Sequence, residues 1–108
     1  MDYPTPIKRL IAQFKQLPGI GPKSAERIAV WMIQQGRELS PELANALNHA
    51  NTSVTECGTC GFFLEAEAGC HLCDSPVRDT TQLCIVEQPT DVLPIERSGA
   101  YRGHYHVL

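Results

Sequence analysis

Four cysteines in the middle of the chain constrain its fold more than any other feature. They form two CxxC pairs separated by nine residues, at Cys57, Cys60, Cys70 and Cys73. Each pair presents two thiolates to one side of a tetrahedron, and Zn²⁺ is the ion that most often accepts four such sulfurs. Gly61 and Gly69 allow the backbone to turn tightly behind the two pairs. The spacing therefore predicts one structural Zn²⁺ bound by these four cysteines.

The competing interpretations of the cysteines are a pair of disulfides, a redox CxxC pair and an iron–sulfur site. The chain has five cysteines and no signal-peptide pattern, which disfavours disulfides. A redox pair needs only one CxxC, on a thioredoxin-like βαβ unit that does not precede Cys57. Because four sulfurs fill a tetrahedron, we expect a site that folds the surrounding segment and performs no catalysis. The fifth cysteine, Cys84, lies in an apolar run and is expected to be a small core residue.

Length and charge limit the partners that this chain can have. Its 108 residues suffice for one small domain or for two or three very small modules. Without a membrane-spanning apolar run or a signal sequence, the thiol-rich chain is predicted to be cytoplasmic. Residues 1–40 carry six basic and three acidic side chains, whereas residues 41–108 carry three basic and nine acidic ones. A partner that carries phosphates is therefore expected at the first segment.

The N-terminal segment has the pattern of three short amphipathic helices. Apolar residues recur at helical spacing over residues 6–16 and 25–33. A third helix is predicted to start from a Ser40 N-cap, with Pro41 at its first position. We expect the three helices to share one core, to which the third contributes Leu43, Ala46, Leu47 and Ala50.

The turn between the first two helices has the features of a phosphate site. Gly19 and Gly21 are expected to take positive φ on both sides of Ile20, which fills the gap between the helices. The second helix starts with bare backbone amides, and Lys23 and Arg27 follow on one face. The string GIGPKSAERIA at 19–29 resembles the helix–hairpin–helix motif, which binds nucleic-acid backbone without reading bases. We predict phosphate contact at both glycines and both basic residues, and a plain turn between helices is the alternative.

Trp31 lies on the same side of the second helix as Lys23 and Arg27. A single tryptophan between apolar turns usually packs, so we expect Trp31 to be buried in the core or against another subunit. Stacking on a nucleic-acid base is the alternative.

The last third of the chain has the pattern of a strand, a helix and a second strand. Residues 83–86 form a continuous apolar run, which predicts a strand buried on both faces. A short helix is predicted over 89–97, with Thr90 as its cap, followed by a strand over 104–108. This order predicts the opening of a parallel α/β unit. Glu87 follows the first strand, where such sheets place ligand-handling groups, but one carboxylate alone makes a poor magnesium site.

Taken together, these parts resemble the bacterial RecR family of recombination proteins. The resemblance rests on LPGIGPKSAERIA at 17–29, the four cysteines, RD at 78–79, LCIVE at 83–87 and IERSGAYRGHYHVL at 95–108. It implies an α+β chain of three modules: a helix–hairpin–helix region at 1–53, a C4 zinc finger at 54–78 and the start of a Toprim domain at 79–108. Because the sequence stops within an apolar strand, we expect the Toprim domain to be incomplete.

The resemblance also implies a function, that of a DNA-binding mediator of recombinational repair. Such a protein acts beside RecO and RecF in loading the recombinase, as a ring-shaped homo-oligomer in the cytoplasm at the nucleoid. Lys23 and Arg27 match the positions that contact single- or double-stranded DNA irrespective of sequence, and Glu87 matches the acidic residue of the first Toprim strand. No residue present supports catalysis, so we predict a protein that is not an enzyme. The alternatives are a Mg²⁺-dependent Toprim enzyme acting on DNA phosphodiesters and a purely structural zinc module for protein association.

Overall fold

Helices fill the first half of the chain, and short strands fill most of the second. The computed structural model describes all 108 residues and divides into two units, Met1–His49 and Ala50–Leu108. The elements are α1 (Thr5–Lys15), α2 (Pro22–Gln34), α3 (Leu39–Ser53), β1 (Val54–Glu56), β2 (Phe63–Glu65), β3 (Asp79–Val86), a 3₁₀ turn (Pro89–Asp91), α4 (Val92–Ser98) and β4 (Gly103–Val107). No helix combines the length and the hydropathy that crossing a bilayer requires. The predicted module boundaries after residues 53 and 78 stay predictions.

The first unit is built on the contact between α1 and α2. Each helix has a proline in its first turn, where the missing N–H removes no helical hydrogen bond. The buried residues of α2 are Ala25, Ala29 and Met32. Two of these three side chains are a single methyl group, which allows close packing of the helix backbone against its neighbour.

Helix α3 differs from its prediction in its start and in its packing. It begins at Leu39, and Ser40 is not its N-cap, because the Ser40 amide and hydroxyl both donate to the Gly36 carbonyl, at 3.1 and 3.2 Å. No residue of α3 is buried, and its stripe residues Leu43 and Leu47 are exposed. The prediction of one core shared by three helices is therefore wrong for α3, since its apolar stripe remains exposed.

The second unit contains two two-stranded sheets. Strands β1 and β2 pair antiparallel, and β3 and β4 pair in parallel, which confirms the predicted start of a parallel α/β unit. One apolar cluster joins residues 57–73, here called the cysteine segment, to the second sheet. Its buried members are Cys57, Cys60, Cys70, Leu72, Val86, Val92 and Tyr105. The Val107 amide also donates to the Cys60 carbonyl at 2.7 Å. The cysteine segment and the C-terminal strands therefore share one core.

Strand β3 is covered on one face only. Val86 is buried and Cys84 packs against the apolar cluster, as expected for a small core residue. Leu83 and Ile85 point to the other face and remain exposed. The prediction that this run is buried on both faces is therefore wrong for this chain, in which α4 and the cysteine segment cover one side of the sheet.

The predicted helix at 89–97 is split into a 3₁₀ turn and α4. Its start is not capped by Thr90, because the Gln88 amide donates to Asp91 Oδ2 at 3.0 Å and these two residues form a reciprocal capping box. It ends at Ser98, one residue beyond the predicted end, and Gly99 follows as the C-cap with a φ of +71°.

Candidate metal centre and nucleic-acid interface

The four predicted cysteine ligands meet at one point in the second unit. All four Sγ atoms lie within 4.8 Å of one another. The Sγ–Sγ distance is 3.9 Å between Cys57 and Cys73 and 3.7 Å between Cys60 and Cys70. A tetrahedral ion with bonds of about 2.3 Å to sulfur places its ligands about 3.8 Å apart. The four sulfurs therefore fit a tetrahedral metal ion.

Burial and hydrogen bonding act in opposite directions on these thiols. Hydrogen bonds from the Cys60 and Thr59 amides lower the pKa of Cys57 to about 6. Burial raises the pKa of Cys60 and Cys73. The Phe62 amide donates to Cys60 Sγ at 3.5 Å, as is favourable for a thiolate. A bound cation deprotonates coordinating thiols outright, so it removes the conflict between burial and charge at this cluster.

Tight turns were predicted at Gly61 and Gly69, behind the two cysteine pairs, and the structure differs from this prediction at the second pair. Gly61 has a φ of +85°, and its amide donates to the Cys57 carbonyl at 2.8 Å, as a tight turn requires. At the second pair the residue with positive φ is Glu67, at +69°, and not Gly69. Gly69 has a different role, because a Cβ there would lie 2.5 Å from Asp74 Oδ2.

The predicted phosphate-binding turn joins α1 to α2 in the first unit. Gly19 has a φ of +80°, as expected, and Ile20 is half-buried. Gly21 does not take positive φ: it is the extended N-cap of α2, with φ −87° and ψ 178°, because a residue before proline is driven to extended backbone. A Cβ at either glycine would meet no protein atom within 4 Å, so this side of the turn is open.

The start of α2 presents backbone amides and two basic side chains. The Ala25 amide makes the first backbone bond of the helix, to the Gly21 carbonyl at 2.9 Å, and no side chain caps the amides before it. These amides carry the positive end of the helix dipole. Lys23 and Arg27 are both exposed and lie one turn apart on α2. An anion bound at these amides would therefore lie at the end of α2 that carries Lys23 in its first turn and Arg27 one turn further on.

Trp31 lies one turn beyond Arg27, and it is exposed and not buried in the core. Lys23, Arg27 and Trp31 line one concave surface beside α2. Burial of Trp31 in the core, the prediction from its apolar surroundings, is therefore wrong. The sequence signal that places it here is the spacing of four residues from Arg27, which puts both side chains on one face.

An ion-pair network in the second unit was missed by the sequence analysis. Arg78 donates from Nη1 to the Gly103 carbonyl at 3.0 Å and is paired with the Glu96 carboxylate. The Tyr105 hydroxyl donates to Glu96 Oε2 at 2.7 Å. The bonds from Arg78, and then from Tyr105, hold the pKa of the Glu96 carboxyl below its usual range. Arg78 and Glu96 are 18 residues apart and share no helix or strand, so no periodicity indicates their contact.

Glu87 is exposed and directly follows β3, at the carboxyl end where the sequence predicted it. The four cysteines are the one place in the chain where three or more candidate metal-ligating side chains meet. The match of Glu87 to the acidic position of the first Toprim strand stays a prediction.

Known proteins are similar to both units of the chain. Residues 7–51 match the family model described as RecR, helix-hairpin-helix. The chain is 46% identical to the recombination protein RecR of Deinococcus radiodurans over 108 residues, which is 100% of this chain and 49% of that protein. It is 45% identical to RecR of Roseiflexus castenholzii, over 97% of this chain and 51% of the relative. For RecR of Syntrophobacter fumaroxidans the identity is 43%, over 98% of this chain and 52% of the relative.

The chain thus spans about half the length of the curated relatives it matches. Its whole length takes part in the similarity to the Deinococcus protein, so the match includes the cysteine cluster and the C-terminal strands as well as the helical unit. The resemblance recognised from the sequence motifs is confirmed: the whole chain aligns with about half of a RecR sequence, and residues 7–51 match the RecR helix–hairpin–helix model.

Proposed function

We propose that the chain is the DNA-binding part of a recombination mediator and that it holds nucleic-acid backbone without reading base sequence. The observation that carries this proposal is the open start of α2, where no side chain caps the backbone amides and the exposed Lys23 and Arg27 lie one turn apart. Relatives named recombination protein RecR support the biological role. Contacts of this kind go to phosphate oxygens, which are the same at every base pair.

The mechanism that we propose is electrostatic. A phosphate sits against the amides of Lys23 and Ser24, where the dipole of α2 favours a negative charge. Lys23 and Arg27 neutralise this phosphate or its neighbours and release the counterions that were condensed on them. Gly19 and Gly21 contribute by having no side chain, because a Cβ on this face would stand between the ligand and the backbone.

For the cysteine cluster we propose a single structural Zn²⁺. The support is the fit of the four sulfurs to a tetrahedron, together with the burial of Cys57, Cys60 and Cys70. Four protein ligands fill the coordination sphere of zinc, so the ion would hold β1 and β2 on the core of the second unit. Metal analysis of the purified chain should find one zinc per chain, and Cys60→Ser should lose it while Cys84→Ser keeps it.

The wider role that we propose follows the family. The chain acts as an adaptor and not as an enzyme: it holds DNA in the cytoplasm, at the nucleoid, while RecO and RecF help to load the recombinase. In the full-length protein it forms part of a homo-oligomer. The named recombination relatives support this role.

Fluorescence anisotropy of labelled oligonucleotides tests the DNA-binding proposal. The zinc-loaded chain should bind oligonucleotides of unrelated sequence with similar affinity, and Lys23→Ala/Arg27→Ala should weaken binding to all of them alike. The matched control is Lys8→Ala/Arg9→Ala, which removes the same charge from exposed positions of α1. Equal losses in the two double variants would mean that net charge, and not the start of α2, attracts DNA. Failure of the wild type to bind any DNA would favour a purely structural zinc module.

A further inference from the structure

We propose that Trp31 is a stacking platform for an unpaired base, so that the concave face of α2 holds single-stranded DNA differently from duplex. This inference rests on the proposed phosphate binding at Lys23 and Arg27 and adds a second kind of contact to it. The concave face of α2 has a cavity volume of about 550 Å³.

The first observation is the exposure of the indole. Trp31 is 43% exposed, although a tryptophan buries more apolar surface than any other residue when it packs in a core. Trp31 is four residues after Arg27 and eight residues after Lys23, so the three side chains lie along one face of α2. They span about 12 Å along the helix axis. A strand whose phosphates meet the two cations therefore brings its next base to the indole.

The second observation is that the indole is held in place from one side. A Cβ at Gly36 would lie 2.6 Å from Trp31 Cζ3 and 3.0 Å from Cε3, so the six-membered ring rests directly on the Gly36 backbone. Gly36 is itself buried, and its amide donates to the Trp31 carbonyl at 3.0 Å. An aromatic ring that is fixed by close contact at one edge and is 43% exposed loses little freedom when a base stacks on it.

The third observation concerns charge on the same surface. Glu26 is the one acidic residue among those lining it, and its carboxylate accepts a hydrogen bond from the Tyr3 hydroxyl at 2.9 Å. This bond engages one oxygen of the Glu26 carboxylate, while the two cations carry no ion pair and remain available to phosphate. The surface therefore combines cations with an open aromatic ring, the combination that proteins use for single strands.

Only an unpaired base can use this platform. In a duplex the flat faces of the bases are covered by their neighbours in the stack, whereas a single strand can turn a base outward. Duplex binding should therefore depend on Lys23 and Arg27 but not on Trp31, whereas single-strand binding should depend on all three residues.

The test uses the fact that Trp31 is the only tryptophan of the chain. Oligo(dT) should quench its fluorescence at saturation, and a duplex of equal length should change it little. In anisotropy titrations, Trp31→Leu should weaken oligo(dT) binding by about 5-fold to about 100-fold, the range for loss of one stacked base, and duplex binding by less than about twofold. Trp31→Phe should keep most of the affinity. Gly36→Ala, which displaces the indole, should also weaken oligo(dT) binding more than duplex binding.

Three results would overturn the inference. Equal effects of Trp31→Leu on oligo(dT) and duplex would show that the indole does not stack, even if Lys23→Ala/Arg27→Ala abolishes both and the proposed function stands. A fluorescence change on raising the protein concentration without DNA would show that a second copy of the chain covers Trp31. If the wild type bound neither DNA, the proposed function would fail together with the inference. Circular dichroism of each variant confirms that the helices are intact.

Discussion

At the scale of single residues, Gly61 meets two constraints at the cysteine cluster. Its φ of +85° strains any residue with a side chain, and a Cβ there would lie 2.8 Å from Val107 Cβ. We predict that Gly61→Ala lowers the free energy of unfolding by about 1–3 kcal/mol. The control is Gly58→Ala in the same turn, because a Cβ at Gly58 meets nothing within 4 Å. Urea unfolding of the metal-loaded variants should separate them, and equal midpoints would contradict this account of the turn.

Glu96 gives a prediction on pH at the same scale. Because Arg78 holds the pKa of the Glu96 carboxyl below 4.5, its ionised form stabilises the fold above that pH and the stabilisation is lost as pH falls below it. Glu96→Gln should therefore cost about 1–3 kcal/mol of unfolding free energy at pH 7, and the difference from wild type should shrink below pH 4.5.

The control for Glu96 is Glu65→Gln, which removes an exposed carboxylate from β2. Glu65→Gln should cost much less unfolding free energy than Glu96→Gln. Because both variants release a bound metal in acid as the wild type does, the difference between the two variants reports on the Glu96 carboxylate. A Glu96→Gln penalty that stays constant from pH 7 to pH 3.5 would show that the Arg78 contact does not depend on the ionised carboxylate.

At the scale of elements, the cysteine segment and the C-terminal strands should respond to metal together. Cys57, Cys60 and Cys70 lie in the same apolar cluster as Val86 and Tyr105. Without the metal, burial opposes ionisation of Cys60 and Cys73 by raising their pKa, and structural thiolate sites contribute folding energy directly. We predict that a chelator releases β1 and β2 and loosens β3 and β4, while α1 and α2 persist.

Amide hydrogen exchange with and without chelator measures this response. Protection of Cys57 and Val107 amides, both bonded within the second unit, should fall together, and that of Ala25 should be unchanged. The matched variants are Cys60→Ala, which should mimic the chelator, and Cys84→Ala, which should not. Loss of helical protection in step with metal would show that all parts of the chain fold as one.

The elements also show what the sequence could predict. The CxxC spacing, the glycine turn before Lys23 and the strand–helix–strand order depend on local chemistry, and the structure has the four sulfurs, the turn and the parallel pair where they were expected. The wrong predictions of burial occurred where a side chain's surroundings are set by distant residues. The patterns at Leu47 and Leu83 indicate apolar faces, but not whether the chain supplies anything to cover them. Likewise, no local rule pairs Arg78 with Glu96.

At the scale of the whole molecule, basic and acidic side chains are concentrated in different parts of the chain. The surplus of basic side chains lies in residues 1–40, and the acidic surplus lies in residues 41–108. Phosphate is thus attracted to the segment that contains the open start of α2 and repelled by the remainder, which restricts where a non-specific ligand can settle. The match of residues 7–51 to the RecR helix–hairpin–helix family covers the same segment.

The salt dependence of DNA binding tests the central claim most directly, because it counts the phosphates that the protein neutralises. For the wild type, the logarithm of the association constant should fall linearly with the logarithm of salt concentration. In Lys23→Ala/Arg27→Ala the slope should be shallower by about 1.8 on duplex and about 1.4 on a single strand. Lys8→Ala/Arg9→Ala should leave the slope nearly the same as in the wild type. A slope that is the same in the wild type and in Lys23→Ala/Arg27→Ala would contradict the claim that the start of α2 holds the DNA backbone.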